Sequence, residues 1–276
     1  MDIWEHLPLN NRGENEMPLA HINGADINYR WDGNKNLPIL ILSNSLTTNL
    51  QLWEEQVLSF TDHFRVLRYD NRGHGGSSSP EGEYSIDDIG NDILSLMNHV
   101  EISRASLCGI SLGGMVAMWL GIHAGDRVDK LVVCNTSSDL SPPDPWQERI
   151  DTVKTKGMAS IVDAGLARFL SEEFREKNSP KIGLLKSMMT TCEISGYTGC
   201  CAAVRDMNLT SQLAKINNPT LIIAGELDPS TPVLHSELIN QEITGSRLTI
   251  IKGVAHLSNI EKPLEFNNAV MDFLLE

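Results

Sequence analysis

Short, solid apolar runs alternate along this chain with longer stretches whose apolar positions recur every three to four residues, the rhythm of a parallel sheet covered by helices. Pro38 to Leu42, Arg65 to Tyr69, Ala105 to Ile110, Val128 to Cys134, Pro219 to Ala224 and Arg247 to Ile251 read as strands. Leu50 to Phe60, Ser85 to His99 and Leu112 to His123 read as helices. Two earlier strands, Ala20 to Ile22 and Asp26 to Arg30, flank Asn23-Gly24, a dipeptide that favours a tight hairpin turn. The rhythm breaks at Ser141-Pro142-Pro143-Asp144-Pro145, and from there to about Thr210 the pattern is helical and rich in Met, Ala and Cys, with no strand-like run until Pro219. The expected fold class is therefore α/β: a core from residues 17–140 and 211–276, built on a mainly parallel central sheet flanked by helices, with residues 141–210 inserted as a helical cap. Met1 to Glu16 is polar with scattered charge and is expected to be a frayed extension, which makes Met17 a candidate original start.

One junction in this pattern carries chemistry. The strand ending at Ile110 meets the helix starting at Leu112 with Ser111 on the bend, inside Gly109-Ile110-Ser111-Leu112-Gly113. A serine on so sharp a turn needs strained backbone angles, and a Cβ two positions before or after it would clash in the strand-to-helix crossing, so glycine belongs at 109 and 113. A serine hydroxyl is a weak nucleophile that needs a base within reach and a third group to fix that base's tautomer. In this arrangement the acid and then the histidine follow the serine along the chain, each after a later strand. Asp228 follows the strand ending at Ala224, and His256 follows the strand ending at Ile251. Glu226 and Asp139 are rival acids; Asp228 is preferred over Asp139 because the loop after Cys134 opens Asn135-Thr136, without an acid at once.

Attack on a carbonyl places negative charge on oxygen, which calls for preorganised donors. The Leu112 amide, directly after the nucleophile, is one candidate. The other lies in the loop after Leu42, Ser43-Asn44-Ser45-Leu46, where the Leu46 amide is chosen over Ser45. His74 lies in a glycine-rich turn, and its expected role is to tie that loop down, not to catalyse.

Composition narrows the partners. A chain of 276 residues that is 41% hydrophobic suffices for one large α/β domain. Its net charge of −14 offers no basic stripe for nucleic acid or anionic lipid, and no apolar run approaches membrane length. There is no glycine-rich nucleotide fingerprint, no phosphate loop and no zinc-binding His-Glu-x-x-His, so neither cofactor nor metal is expected. The five cysteines are odd in number and lack metal-ligand spacing, which fits a reducing cytoplasm. Adjacent Cys200 and Cys201 would bridge only with strain, so they are expected to pack.

With these residues in view, the chain from Met17 onward resembles the α/β-hydrolase family and, within it, the 3-oxoadipate enol-lactone hydrolases of the β-ketoadipate pathway. The broad part of the likeness lies in the serine bend and in Arg72-Gly73-His74-Gly75-Gly76-Ser77. The narrower part lies in Ser43-Asn44-Ser45-Leu46, Cys200-Cys201-Ala202-Ala203 and His256-Leu257-Ser258-Asn259-Ile260. The resemblance implies a small-molecule substrate, an unsaturated lactone with an acetate arm, opened by Ser111, His256 and Asp228. A carboxylate entering an acidic protein needs a cation. Arg205, beside the family-like cap segment, is the first candidate, with Asp206 competing for it; Arg149 is the second. Trp146 is a candidate pocket wall, and Ser45 a candidate substrate contact. A general carboxylesterase or another lactonase would use the same triad. A cofactor-free haloperoxidase or carbon-carbon bond hydrolase, and a ligand receptor that binds without turnover, are further alternatives.

Overall fold

The computed structural model describes residues 18–177 and 179–276. The expected frayed extension, residues 1–16, and the candidate start at Met17 lie outside them. Eight strands form one sheet: β1 (Leu19–Ile22), β2 (Ala25–Asp32), β3 (Ile39–Ser43), β4 (Arg65–Tyr69), β5 (Ala105–Ile110), β6 (Val128–Cys134), β7 (Thr220–Gly225) and β8 (Arg247–Ile251), in the spatial order β1-β2-β4-β3-β5-β6-β7-β8. The β1–β2 hairpin turns at Asn23 and Gly24, both with positive φ, and β2 pairs antiparallel to β4. From β4 across to β8 every pairing is parallel.

Parallel strands need both faces covered, because each crossover lays a helix on the sheet. The alternation of side chains along β3, β5 and β6 shows how. Ile41, Leu107, Leu131 and Val133 point to one core, while Leu40, Leu42, Cys108, Ile110, Val132 and Cys134 point to the other. The first face is covered by α2 (Ile86–His99) and α3 (Leu112–His123), the second by α1 (Glu54–Phe60) and the C-terminal α11 (Pro263–Leu275). The helix expected over 50–60 is two pieces, a tight turn at Leu50–Trp53 leading into α1. Ser85 caps α2 in a reciprocal capping box with Asp88.

Between β6 and β7 the chain makes only helices: α4 (Asp144–Lys156), α5 (Val162–Phe169), α6 (Glu172–Glu176), α7 (Pro180–Thr191) and α8 (Ile194–Asp206). The helices α9 (Val233–Glu242) and α10 (Ser258–Glu261) follow β7 and β8. All five cysteines are buried and unbridged, Cys200 and Cys201 within α8. No helix among the described residues is long and apolar enough to cross a membrane.

Candidate active site

The parallel strands end on one side of the sheet, and the loops there assemble the site. Ser111 sits between β5 and α3 at φ 57°, ψ −115°, a region that non-glycine residues occupy at a cost of order 1–3 kcal/mol. The strain is held by main-chain bonds: the Ser111 amide donates to the Cys134 carbonyl at 2.9 Å, and its own carbonyl accepts from Thr136 Oγ1 at 2.7 Å. The two glycines fit as the sequence implied. A Cβ at Gly109 would run into the Gly113 carbonyl, and one at Gly113 into the Ser43 carbonyl at the end of β3. Gly113→Ala is expected to lower stability by roughly 1–3 kcal/mol and to shift the loop after β3; a denaturant midpoint within error of the native protein would contradict that packing.

Asp228 and His256 meet at the ends of β7 and β8. The Asp228 carboxylate is the focus of five donors. Oδ1 accepts from the Ser230 amide at 2.8 Å and the Thr231 amide at 3.0 Å. Oδ2 accepts from Thr231 Oγ1 at 2.7 Å and Asn135 Nδ2 at 3.1 Å, and it lies 2.8 Å from His256 Nδ1. Burial alone would push this carboxyl up, but the His256 charge and the hydrogen bonds outweigh it and hold it at about 2. His256 is therefore oriented with Nδ1–H toward the acid, leaving Nε2 to exchange a proton. Its ring stacks on Phe169, centroids 5.6 Å apart. The rival acids are engaged elsewhere: Glu226 accepts from the Gly253 amide, and Asp139 from Ser141 and Asn208.

Ser111 and His256 line one cavity of about 210 Å³. No hydrogen bond joins their side chains, a looseness common in unliganded sites that tightens around substrate. The volume is below the roughly 300 Å³ at which most small-molecule pockets begin, so it suits a compact ligand. Leu46 and Leu112 also line it, and neither amide has an acceptor among the described residues. Two amides without acceptors in the cavity that holds Ser111 are available to a developing oxyanion.

The loop that carries Leu46 is tied down by His74. The Thr47 amide donates to His74 Nε2 at 3.0 Å, so the ring proton is on Nδ1, which donates to the Arg72 carbonyl at 3.1 Å. Sequence reasoning expected His74 to hold its own turn; it holds the neighbouring loop as well, at a residue, Thr47, that itself has positive φ. Burial pushes the His74 imidazole down to about 4. Between about pH 6.5 and 4 the unfolded chain takes up a proton that the folded chain refuses. The stabilisation is thus complete above pH 6.5 and falls by about 3 kcal/mol on acidification. His74→Gln is expected to flatten that decline, as read from urea midpoints at pH 7 and pH 4.5; an unchanged decline would place its origin in other groups.

Of the substrate-contact candidates, Ser45, Trp146 and Arg149 line the cavity, and the Ser45 hydroxyl is buried without a hydrogen-bond partner. Arg205 does not line it, and its assignment as first candidate for a carboxylate is corrected here. Its guanidinium is occupied by Glu83 at 2.9 Å, Asp206 at 2.7 Å and Gln147 at 2.6 Å. Arg149 lies over the Trp146 ring, 4.3 Å from its centroid, and faces the cavity instead. Sequence reasoning missed Arg168 and Phe169, which also line the pocket. Their only signal was a cation and an aromatic ring at the end of an inserted helix, and which way that end points depends on packing.

The family model described as alpha/beta hydrolase fold matches residues 38–263. The chain belongs to the α/β-hydrolase family. This hydrolase is 37% identical over 260 residues to 3-oxoadipate enol-lactonase 2 of Acinetobacter baylyi, an alignment covering 92% of this chain and 97% of that one. Its fold superposes with a TM-score of 0.92 on the enol-lactonase from Burkholderia xenovorans LB400, at 35% identity, covering 94% of this chain and 100% of that one. A hydrolase from Pseudomonas aeruginosa PA01 gives the same TM-score at 41% identity, covering 95% and 99%. The α/β-hydrolase fold expected from the sequence is thus the observed one, with the enol-lactonase likeness running through nearly the whole chain.

Proposed function

We propose that this hydrolase opens 3-oxoadipate enol-lactone with water to give 3-oxoadipate. The observation that carries the reading is a compact cavity holding a serine, a carboxylate-oriented histidine and an arginine without an acidic partner among the described residues, in a chain similar over more than nine-tenths of its length to enol-lactonases. Helices α4 to α8 act as a cap, placing Trp146 and Arg149 over the catalytic loops.

The acetate arm of the lactone pairs with Arg149, whose planar guanidinium offers a carboxylate two parallel hydrogen bonds. With the arm held, the lactone carbonyl lies against Ser111. His256 Nε2 takes the hydroxyl proton as Oγ attacks, and Asp228 stabilises the imidazolium. The Leu46 and Leu112 amides receive the oxyanion. Collapse breaks the ring ester bond, and the enolate oxygen, a better leaving group than an alkoxide, takes the proton from His256 and stays on the acyl chain as an enol. Water activated by His256 then cleaves the acyl-enzyme, releasing the acid, and the enol tautomerises to the ketone.

The test follows the ultraviolet absorbance loss of 3-oxoadipate enol-lactone with the wild-type protein, beside a simple aryl acetate. Rapid loss of the lactone is expected, and Arg149→Gln is expected to raise KM for the lactone about tenfold or more relative to its effect on the aryl acetate. Cleavage of the aryl acetate alone would reduce the reading to a general esterase. Binding without cleavage of either would favour a receptor.

A further inference from the structure

The cavity carries one more cation than a lactone with a single carboxylate needs. Arg149 on α4 and Arg168 on α5 both line it, and none of the described lining residues is acidic. The chain has 36 acidic residues against 22 basic ones, so carboxylates to neutralise the pair were plentiful, yet no described one lines the cavity. Bringing two guanidiniums to one partly buried place is unfavourable without an anion between them. Burial, and then the charge of Arg149, push the Arg168 guanidinium below its ordinary value. Arg149 is held over the Trp146 ring, and Arg168 precedes Phe169, the ring that stacks on His256. The second cation therefore stands at the end of α5 that flanks the base.

We infer that Arg149 and Arg168 together form a clamp for dicarboxylates, so that the site prefers an acyclic diacid to a monoacid and is restrained by its own product. The product part rests on the proposed reaction. Hydrolysis adds water across the ring ester, releases one proton and converts a monoanion into a dianion. One carboxylate is then the acetate arm already at Arg149; the other is new and falls to Arg168.

Calorimetric titration with adipate and with hexanoate, diacid and monoacid of equal chain length, tests the clamp without any turnover. Adipate is expected to bind the wild type about tenfold or more tightly than hexanoate. In Arg168→Gln the preference is expected to shrink to within about twofold, and in Arg168→Lys to survive in part. Equal binding of the two acids by the wild type, or an undiminished preference in Arg168→Gln, would overturn the clamp. If Arg168→Gln does not fold, as judged by its melting curve, the wild-type comparison and Arg168→Lys still decide. A preference for adipate in a protein that leaves the enol-lactone intact would sink the proposed reaction and leave the clamp standing. Lactone turnover without that preference would do the reverse.

Discussion

Ser111→Ala is expected to lower kcat by about 10⁴- to 10⁶-fold, whichever ester is used, while leaving the protein folded. The size follows from the role proposed for the hydroxyl: without it no acyl-enzyme forms, and only binding and the two proposed amide donors act on the carbonyl. The folded state should hardly notice the change. The hydrogen bonds that residue 111 contributes to the bend use its main chain, its amide to Cys134 and its carbonyl from Thr136. Alanine supplies the same Cβ at the same strained angles, so the melting temperature should stay within a few degrees. Active-site titration with a slow ester separates the outcomes. A wild-type burst absent in the variant identifies the nucleophile, whereas a variant retaining a tenth of the activity would mean that another group attacks.

How far the sequence anticipated this site depends on which forces place each residue. Ser111, Asp228 and His256 were legible because each follows a strand whose solid apolar run is visible in the chain, and a parallel sheet delivers the ends of its strands to one edge. The glycines at 109 and 113 were legible for a steric reason that needs only the local turn. Arg205 was misplaced because sequence gives a helix but not its rotation. The acids Glu83 and Asp206 decide the matter by engaging the guanidinium away from the cavity. Arg168 was invisible for the same reason: nothing local marks the end of α5 as facing the cavity. The tie from His74 to Thr47 depends on two loops 27 residues apart approaching each other, which no periodicity encodes.

Asp228→Asn is expected to lower kcat by about 10⁴-fold with little change in KM, because it reverses the proton on the histidine. All five groups around the carboxylate donate to it. An asparagine has one oxygen to offer. If that oxygen keeps the Ser230 and Thr231 amides, its NH₂ faces Asn135 Nδ2, another donor, and His256 Nδ1, which must then become an acceptor. The imidazole proton moves to Nε2, where it blocks removal of the proton from Ser111. The same crowd of donors sets the effect on stability. With its folded value near 2 against an ordinary 3.8, the carboxylate contributes about 2 kcal/mol above pH 4, which is lost as the pH falls toward 2. Asp228→Asn should therefore be less stable than the wild type at pH 7 and converge on it only as the pH falls to about 2, as measured by thermal melts across that range. A variant that keeps a tenth of the wild-type kcat would move the acid to another side chain, and Glu226 and Asp139 would be the next to replace.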